Sequence, residues 1–94
     1  MEKYDYIFRW LKNASKAERH IDEMEDFAKK HPIIFMKFHK YSRDIVERDE
    51  NDEKYIKAKN ELEELFNKYS SDFSSVFEAV KSKFNYWKQV NEDG

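Results

Sequence analysis

The chain has 94 residues, of which 40% are charged and 17% aromatic, and its formal net charge is −2. This length predicts a single domain over 1–94, and the aromatic content is too high for a disordered chain. The absence of cysteine excludes disulfides and thiolate chemistry, and the only glycine, Gly94, excludes Gly-rich phosphate loops and nucleophile elbows.

The first predicted helix covers about residues 3–30. Apolar side chains recur there at steps of three and four residues, which is the helical period. Ser15 followed by Glu18 fits a capping box, which would begin a separate helix at this point. The apolar stripe passes through Ser15 without a slip, however, so one long or kinked helix is preferred over two short ones.

His31 and Pro32 mark the clearest break in the chain. The residue before a proline is disfavoured in the helical region, whereas proline itself suits the first position of a helix. A second helix is therefore predicted from Pro32 to about Arg48. The turn-forming residues at 49–52 are expected to end it, because Asn and Asp favour turns and helix caps.

The third predicted helix covers about 53–69 and the fourth about 72–90, with residues 91–94 frayed. Ser70, Ser71 and Asp72 are expected to supply the N-cap of the fourth helix. Short loops make sequential helices antiparallel neighbours. The predicted fold class is therefore an all-α, compact antiparallel helical bundle, with four helices favoured. In the alternative, the second and third helices form one rod through 49–52.

The cations are concentrated in one segment, 29–43, which contains no acidic residue: Lys29, Lys30, Lys37, Lys40 and Arg43. The preferred interpretation is structural, with Lys37 and Lys40 lying beside the acids of 22–26 in a hairpin about Pro32. The alternative is an anion-binding face for nucleic acid, with Phe35, Phe38 and Tyr41 interleaved among the cations. A net charge near zero predicts that such binding is weak at most.

Catalytic and metal-binding patterns are absent from the sequence. No histidine has a glutamate three residues before it or a second histidine four residues away, as helical metal sites require. The EF-hand-like start at Asp49 fails because Lys54 occupies the glycine position. Carboxylates mostly follow helix-surface patterns, and some form i,i+4 pairs with lysines, such as Glu25 with Lys29. We therefore expect no enzyme activity, cofactor or metal.

Two segments carry more apolar side chains than one core face requires. The candidate partner-binding residues are Tyr6 and Trp10 in the first helix and Ile33, Phe35 and Met36 in the second. Tyr6 and Trp10 are an i,i+4 pair that lies off the main stripe, and Ile33, Phe35 and Met36 make the start of the second helix apolar nearly all round. An apolar patch of this kind is typical of a protein interface or a homodimer. In the alternative, the first helix packs on both sides, and Tyr6 and Trp10 are core or boundary residues.

The function predicted from these patterns is that of a small cytoplasmic protein–protein interaction module, a binder, inhibitor or regulator of another protein or of itself as a homodimer. Codon-biased usage, rich in Lys, Asn, Ile and Phe, indicates an AT-rich genome and fits a phage or mobile element. The alternatives are a weak nucleic-acid-associated regulator and a helical protein of the bacteriocin-immunity kind. The longest apolar run, 33–36, is too short to span a membrane.

Overall fold

In the computed structural model, residues 3–84 are described, and they form five α-helices and no strand. The helices are α1 (Asp5–Asn13), α2 (Asp22–Lys30), α3 (Pro32–Glu47), α4 (Glu53–Lys68) and α5 (Ser74–Lys83). The predicted all-α bundle is confirmed. The number of helices differs from the favoured four because the first predicted helix is divided in two.

The division falls at residues 14–21, where the capping box forms as its sequence indicates. The Ser15 amide donates to Glu18 Oε1 at 3.0 Å, and the Glu18 amide donates to Ser15 Oγ at 3.2 Å. The capping box begins only one helical turn, because the backbone is extended on either side of it, at Ala14 and at Ile21. The Arg19 guanidinium then donates to the carbonyls of Leu11 and Ala14, both at 3.2 Å, and so closes the end of α1.

The bounds predicted for α3 and α4 are confirmed to within one residue. Pro32 occupies the first turn of α3, and the preceding His31 has left the helical region of the backbone. Asp52 is the N-cap of α4, and its carboxylate accepts the amide hydrogen of Lys54 at 2.8 Å. The turns at 31–32 and 49–52 therefore arise from local residue chemistry.

The start of α5 differs from the prediction. Residues 69–73 form consecutive turns, and Phe73 is the N-cap without a side-chain hydrogen bond. Ser70, Ser71 and Asp72 do not cap the helix as expected, and Asp72 instead approaches His31 Nε2 at 3.4 Å. The predicted extension of the last helix through 85–90, and the frayed tail at 91–94, lie outside the described residues.

The core is built around the ring of Phe66 in α4, which is fully buried. Five aromatic rings lie with their centroids 5.1 to 6.3 Å from it: Tyr4, Phe8, Phe38, Phe73 and Phe77. They come from α1, α3 and α5 and from the residues just before α1 and α5. Such ring pairs stabilise a core beyond the area they bury.

Helix α3 occupies the centre of the arrangement, with α1, α2 and α4 against it, while α5 packs on α1 and α2. Phe38, in the first half of α3, meets Phe66, near the end of α4, and because only residues 48–52 connect the two helices, this contact makes them antiparallel neighbours. The inner face of α3 buries Phe38, Ser42 and Ile45. Its outer face is consequently the part of this helix that is available to other molecules.

Candidate binding surface

Trp10, one of the residues predicted to bind a partner, lies in the core with 2% of its surface exposed. Its ring packs against Phe84, with centroids 5.8 Å apart, because the end of α5 covers this side of α1. Trp10 is therefore a core residue and is withdrawn as a partner-binding candidate, because the end of α5 supplies a second packing partner that the periodicity of α1 alone does not reveal. The buried Nε1 of Trp10 has no hydrogen-bond partner among residues 3–84, and an unsatisfied buried donor costs about 1–3 kcal/mol.

Tyr6 is also engaged between helices and is only partly exposed. Its ring meets Phe77 edge-on at 6.5 Å, and Lys81 Nζ lies 5.2 Å from the ring centroid. Burial, with smaller contributions from Tyr4 and Glu78, raises the pKa of Tyr6 to about 12. Tyr6 therefore belongs to the packing of α5 on α1.

Ile33 and Met36 point to solvent from the start of α3 and are 72% and 69% exposed. Phe35, predicted with them, turns to the other side of the helix, where it is partly buried and stacks on His39 at 6.0 Å. Ile33 and Met36 are three residues apart and so are neighbours on the helix surface. The predicted set thus separates, and only these two remain as outward apolar residues.

Four exposed lysines are near Ile33 and Met36 in the chain: Lys37 and Lys40 follow on the same face of α3, and Lys29 and Lys30 precede in the last turn of α2. We call these six residues the α3 patch. None of the four lysines belongs to an ion pair formed by residues 3–84. The first turn of α3 also contains no acidic residue. The α3 patch is therefore an apolar surface bordered by positive charges that are not neutralised within the described fold.

The predicted pairing of Lys37 and Lys40 with the acids of α2 is not formed. Glu23 turns instead toward α5, where Lys83 Nζ donates to its carboxylate at 3.0 Å. This hydrogen bond lowers the pKa of Glu23 below its ordinary value. Because α2 is a separate helix, Glu23 reaches α5, which is distant in sequence. The prediction considered only the hairpin between α2 and α3 and so missed this contact.

The positive charges of the segment 29–43 have different local surroundings. Lys29 and Lys30 lie in the last turn of α2, where the helix dipole favours cations. Arg43, also predicted to bind anions, lies 3.7 Å from Glu47 one turn later, and both side chains are exposed. Lys37 and Lys40 have neither of these electrostatic partners, although Lys40 Nζ lies 5.6 Å from the Tyr41 ring.

A groove of about 330 Å³ separates α2 from α3 on the side of α3 where Phe35 lies. Its apolar lining comes from Trp10, Leu11, Ile21, Met24, Ala28, Phe35, Phe38 and Val46. The charged lining comes from Lys16, Arg19, Arg43, Glu25 and Glu47, and the other polar residues are His20, His39 and Ser42. Sequence reasoning missed this groove because the break at 14–21 creates it. The Ser15–Glu18 capping box was the signal for that break.

Arg19 has a fixed position at the groove. Its Nη1 donates to the carbonyls of Leu11 and Ala14, and no carboxylate of residues 3–84 forms an ion pair with it. Ser42 is buried, and its hydroxyl donates to the His39 carbonyl at 3.0 Å. The groove thus combines an apolar lining with an immobilised cation.

A second depression, of about 570 Å³, lies between α1 and α4. Its lining is mainly polar, and it includes Ile56, which is 50% exposed.

Across 3–84, no group of three or more His, Asp or Glu side chains is placed to hold a metal ion. Within the same residues, no helix has the length and apolar character needed to cross a membrane.

Comparison with known proteins identified no related protein. No family model, no curated protein and no solved structure matches this chain.

Proposed function

We propose that this protein is a binding module that regulates or inhibits another protein by docking an acidic, amphipathic segment of it on the α3 patch. The observation that carries the proposal is the exposure of Ile33 and Met36 among four lysines without ion pairs. An apolar centre with a charged rim is the usual organisation of a protein interface. The complementary partner surface has apolar residues surrounded by Asp and Glu.

The two parts of the α3 patch contribute differently to binding. Burying a fully exposed Ile or Met side chain contributes about 1.5–3 kcal/mol, so Ile33 and Met36 can serve as anchors. The lysines remain at the rim, where charges mainly raise the association rate and select the partner. We therefore expect binding of moderate affinity, with an association rate that falls as the salt concentration rises.

A second copy of this chain is a poor occupant of the α3 patch. A twofold interface places the same surface of both copies in contact. The lysines of one copy would then face those of the other, and like charges across an interface disfavour association. The charge of the patch thus favours a different, acidic protein over the homodimer.

Nucleic acid is the second candidate, because the same lysines could contact phosphates. Binding of single strands also needs aromatic side chains on which bases stack. Phe38 is in the core, Phe35 faces the groove, and Tyr41 is partly buried. The residues between the lysines on the outer face are instead Ile33 and Met36, which suit a protein partner better.

The test uses paired charge reversals on two exposed helix faces. Lys37→Glu with Lys40→Glu alters the α3 patch, while Lys54→Glu with Lys57→Glu makes the same change of charge on α4. A second pair of variants compares Ile33→Ser with Met36→Ser, made together, against Ile56→Ser on α4. Each variant, after its fold is verified by circular dichroism, is used for affinity capture from the source cells with mass spectrometry.

The proposal predicts that one protein with an acidic surface is captured by the wild type and by both α4 variants. Its recovery should fall at least tenfold with either change in the α3 patch. Charge reversal of the partner's acids should restore binding to the Lys37→Glu, Lys40→Glu variant. Equal recovery from α3 and α4 variants would refute the α3 patch as the docking surface. Tight binding of a labelled oligonucleotide at physiological salt would favour the nucleic-acid alternative.

A further inference from the structure

The groove between α2 and α3 is distinct from the α3 patch, because Phe35 and His39 face the groove while Ile33 and Met36 face outward. Its volume of about 330 Å³ is at the lower end of the range of small-molecule sites. Most such sites have an apolar lining with a few fixed polar groups that orient the ligand. The groove meets both conditions.

Arg19 supplies the orienting group. Two backbone carbonyls hold Nη1 of its guanidinium, whose other N–H groups donate to no acceptor among residues 3–84. A guanidinium presents donors in a planar fork that matches a carboxylate. Because its position is already fixed by the end of α1, little side-chain entropy is lost when it binds an anion.

We propose that this groove binds a small amphiphilic carboxylate, with the aliphatic chain between Met24 and Phe38 and the carboxylate on Arg19. The other charged residues of the lining allow this orientation. Lys16 adds a second cation near Arg19 in the chain, and Glu47 has Arg43 as its ion-pair partner. Glu25, on the α2 wall, carries the one lining carboxylate that forms no ion pair with residues 3–84.

Trp10 makes the proposal observable, because it lines the groove and its Nε1 has no hydrogen-bond partner in the described part of the chain. Its indole N–H gives a separate signal in a nitrogen–proton correlation spectrum. The signal is assigned with Trp87→Phe, which removes the other indole of the chain. A ligand in the groove should shift the Trp10 signal, whereas a ligand on the outer face of α3 should not.

The experiment titrates the full-length protein with octanoate and, separately, with 1-octanol, which has the same chain without the charge. The spectrum and calorimetry together give the dissociation constants. We expect octanoate to bind about tenfold more tightly than octanol, the advantage typical of a hydrogen bond to a charged group. Arg19→Gln should reduce this ratio to about one, and Arg19→Lys should retain part of it.

Since Arg19 also closes α1, a second variant tests the groove without altering Arg19. Ala28→Leu fills part of the groove from α2, and Ala17→Leu adds the same group at an exposed position outside it. Ala28→Leu should weaken both ligands at least tenfold and leave their ratio unchanged, while Ala17→Leu should leave both constants as in the wild type.

Three outcomes would overturn the proposal. Equal affinities for octanoate and octanol would remove the carboxylate site. Unchanged octanoate binding in the folded Ala28→Leu variant would place the ligand elsewhere. A Trp10 signal that does not move at saturation would do the same. None of these outcomes bears on the α3 patch, because partner capture is measured with different variants.

Discussion

The two ends of α3 differ in how their charges are used. At the C-terminal end, Arg48 lies 3.1 Å from Asp44 and 3.5 Å from Asp52, and the pKa of Arg48 is raised by its hydrogen bond to Asp44. Lys12 of α1 donates to the carbonyls of Ile45 and Arg48 at 3.2 and 2.5 Å. At the N-terminal end, the lysines of the α3 patch have no ion pair within residues 3–84.

This difference distinguishes a structural contact from an exposed surface. We call the contact of Lys12 and Arg48 at the C-terminal end of α3 the joint. The C-terminal end connects α3 to α1 and to the start of α4, and its polar groups are satisfied by neighbours. Within residues 3–84, the N-terminal end packs on the aromatic core through Phe38, with Ile34 and Phe35 partly buried beside it. Changes to its outer face should thus affect binding and leave stability nearly unchanged, whereas changes to the joint should reduce stability.

The largest effect is expected for Phe38→Ala. Phe38 is buried, with its ring centroid 6.1 Å from Phe66 and 5.8 Å from Phe73, and truncating such a side chain costs about 3–5 kcal/mol. Met36→Ala, two residues away on the outer face, should change the free energy of unfolding by less than about 0.5 kcal/mol. Urea unfolding followed by circular dichroism measures both.

Phe38→Leu gives a smaller, still measurable loss if the alanine variant does not fold. Similar losses for Met36→Ala and Phe38→Leu would show that the outer face of α3 is packed, and so would remove the distinction between the two faces.

The second prediction tests whether Tyr6 is buried in the packing of α5 on α1. Its pKa is raised from 10.0 to about 12 in the folded protein. Between these values the unfolded chain releases the proton while the folded protein keeps it, so stability is fully present below pH 10 and falls as the pH rises. Allowing for the partial exposure of Tyr6, we expect a loss of about 1 kcal/mol across this window.

Tyr6→Phe should remove this alkaline loss, and the difference between the two proteins cancels the contributions that both have in common. In the wild type, phenolate absorbance should include a component from Tyr6 that ionises near pH 12, and Tyr6→Phe should lack that component. If Tyr6 ionises with its ordinary pKa, it is not buried between α1 and α5 and remains a candidate partner-binding residue.

The third prediction concerns the joint itself. Lys12→Ala removes two hydrogen bonds to the end of α3 and a contact with the Tyr55 ring at 5.5 Å. Because Lys12 is exposed, we expect a loss of only about 1 kcal/mol in the free energy of unfolding. Lys37→Ala, at the other end of α3, should have no measurable effect. Thermal unfolding of Lys12→Ala and Lys37→Ala under the same conditions measures both losses. Equal losses would contradict the difference between the two ends of α3.

The turns with a local chemical cause could be predicted from the sequence. Pro32 and Asp52 determine their own backbone positions, so the bounds of α3 and α4 agree with the structure. The break at 14–21 could not be weighed correctly from the apolar stripe, because the stripe continues across it. What ends α1 is Arg19 returning to the Leu11 and Ala14 carbonyls, a contact that the helical period does not record.

The candidate site was predicted in part, for a similar reason. Ile33 and Met36 are exposed as expected, since none of the five helices of residues 3–84 covers them. Trp10 is buried because α5 covers it, and the acid expected beside the α3 lysines pairs with Lys83, 60 residues from Glu23. Both outcomes depend on contacts distant in sequence, which composition and spacing do not specify.

The smallest predicted effect is also the most informative about function. Lys37→Glu places a carboxylate three residues from Lys40 and reduces repulsion within the α3 patch, so it should increase stability by about 0.2–0.5 kcal/mol. Lys57→Glu makes the same change on α4 between Glu53 and Glu61, four residues away on either side, and should decrease stability by a similar amount. Urea unfolding at low salt measures both.

If Lys37→Glu stabilises the fold and abolishes partner capture, the positive charge at the start of α3 costs stability and serves binding. If it destabilises the fold as Lys57→Glu does, the lysines of the α3 patch have a structural role, and the docking proposal loses its support.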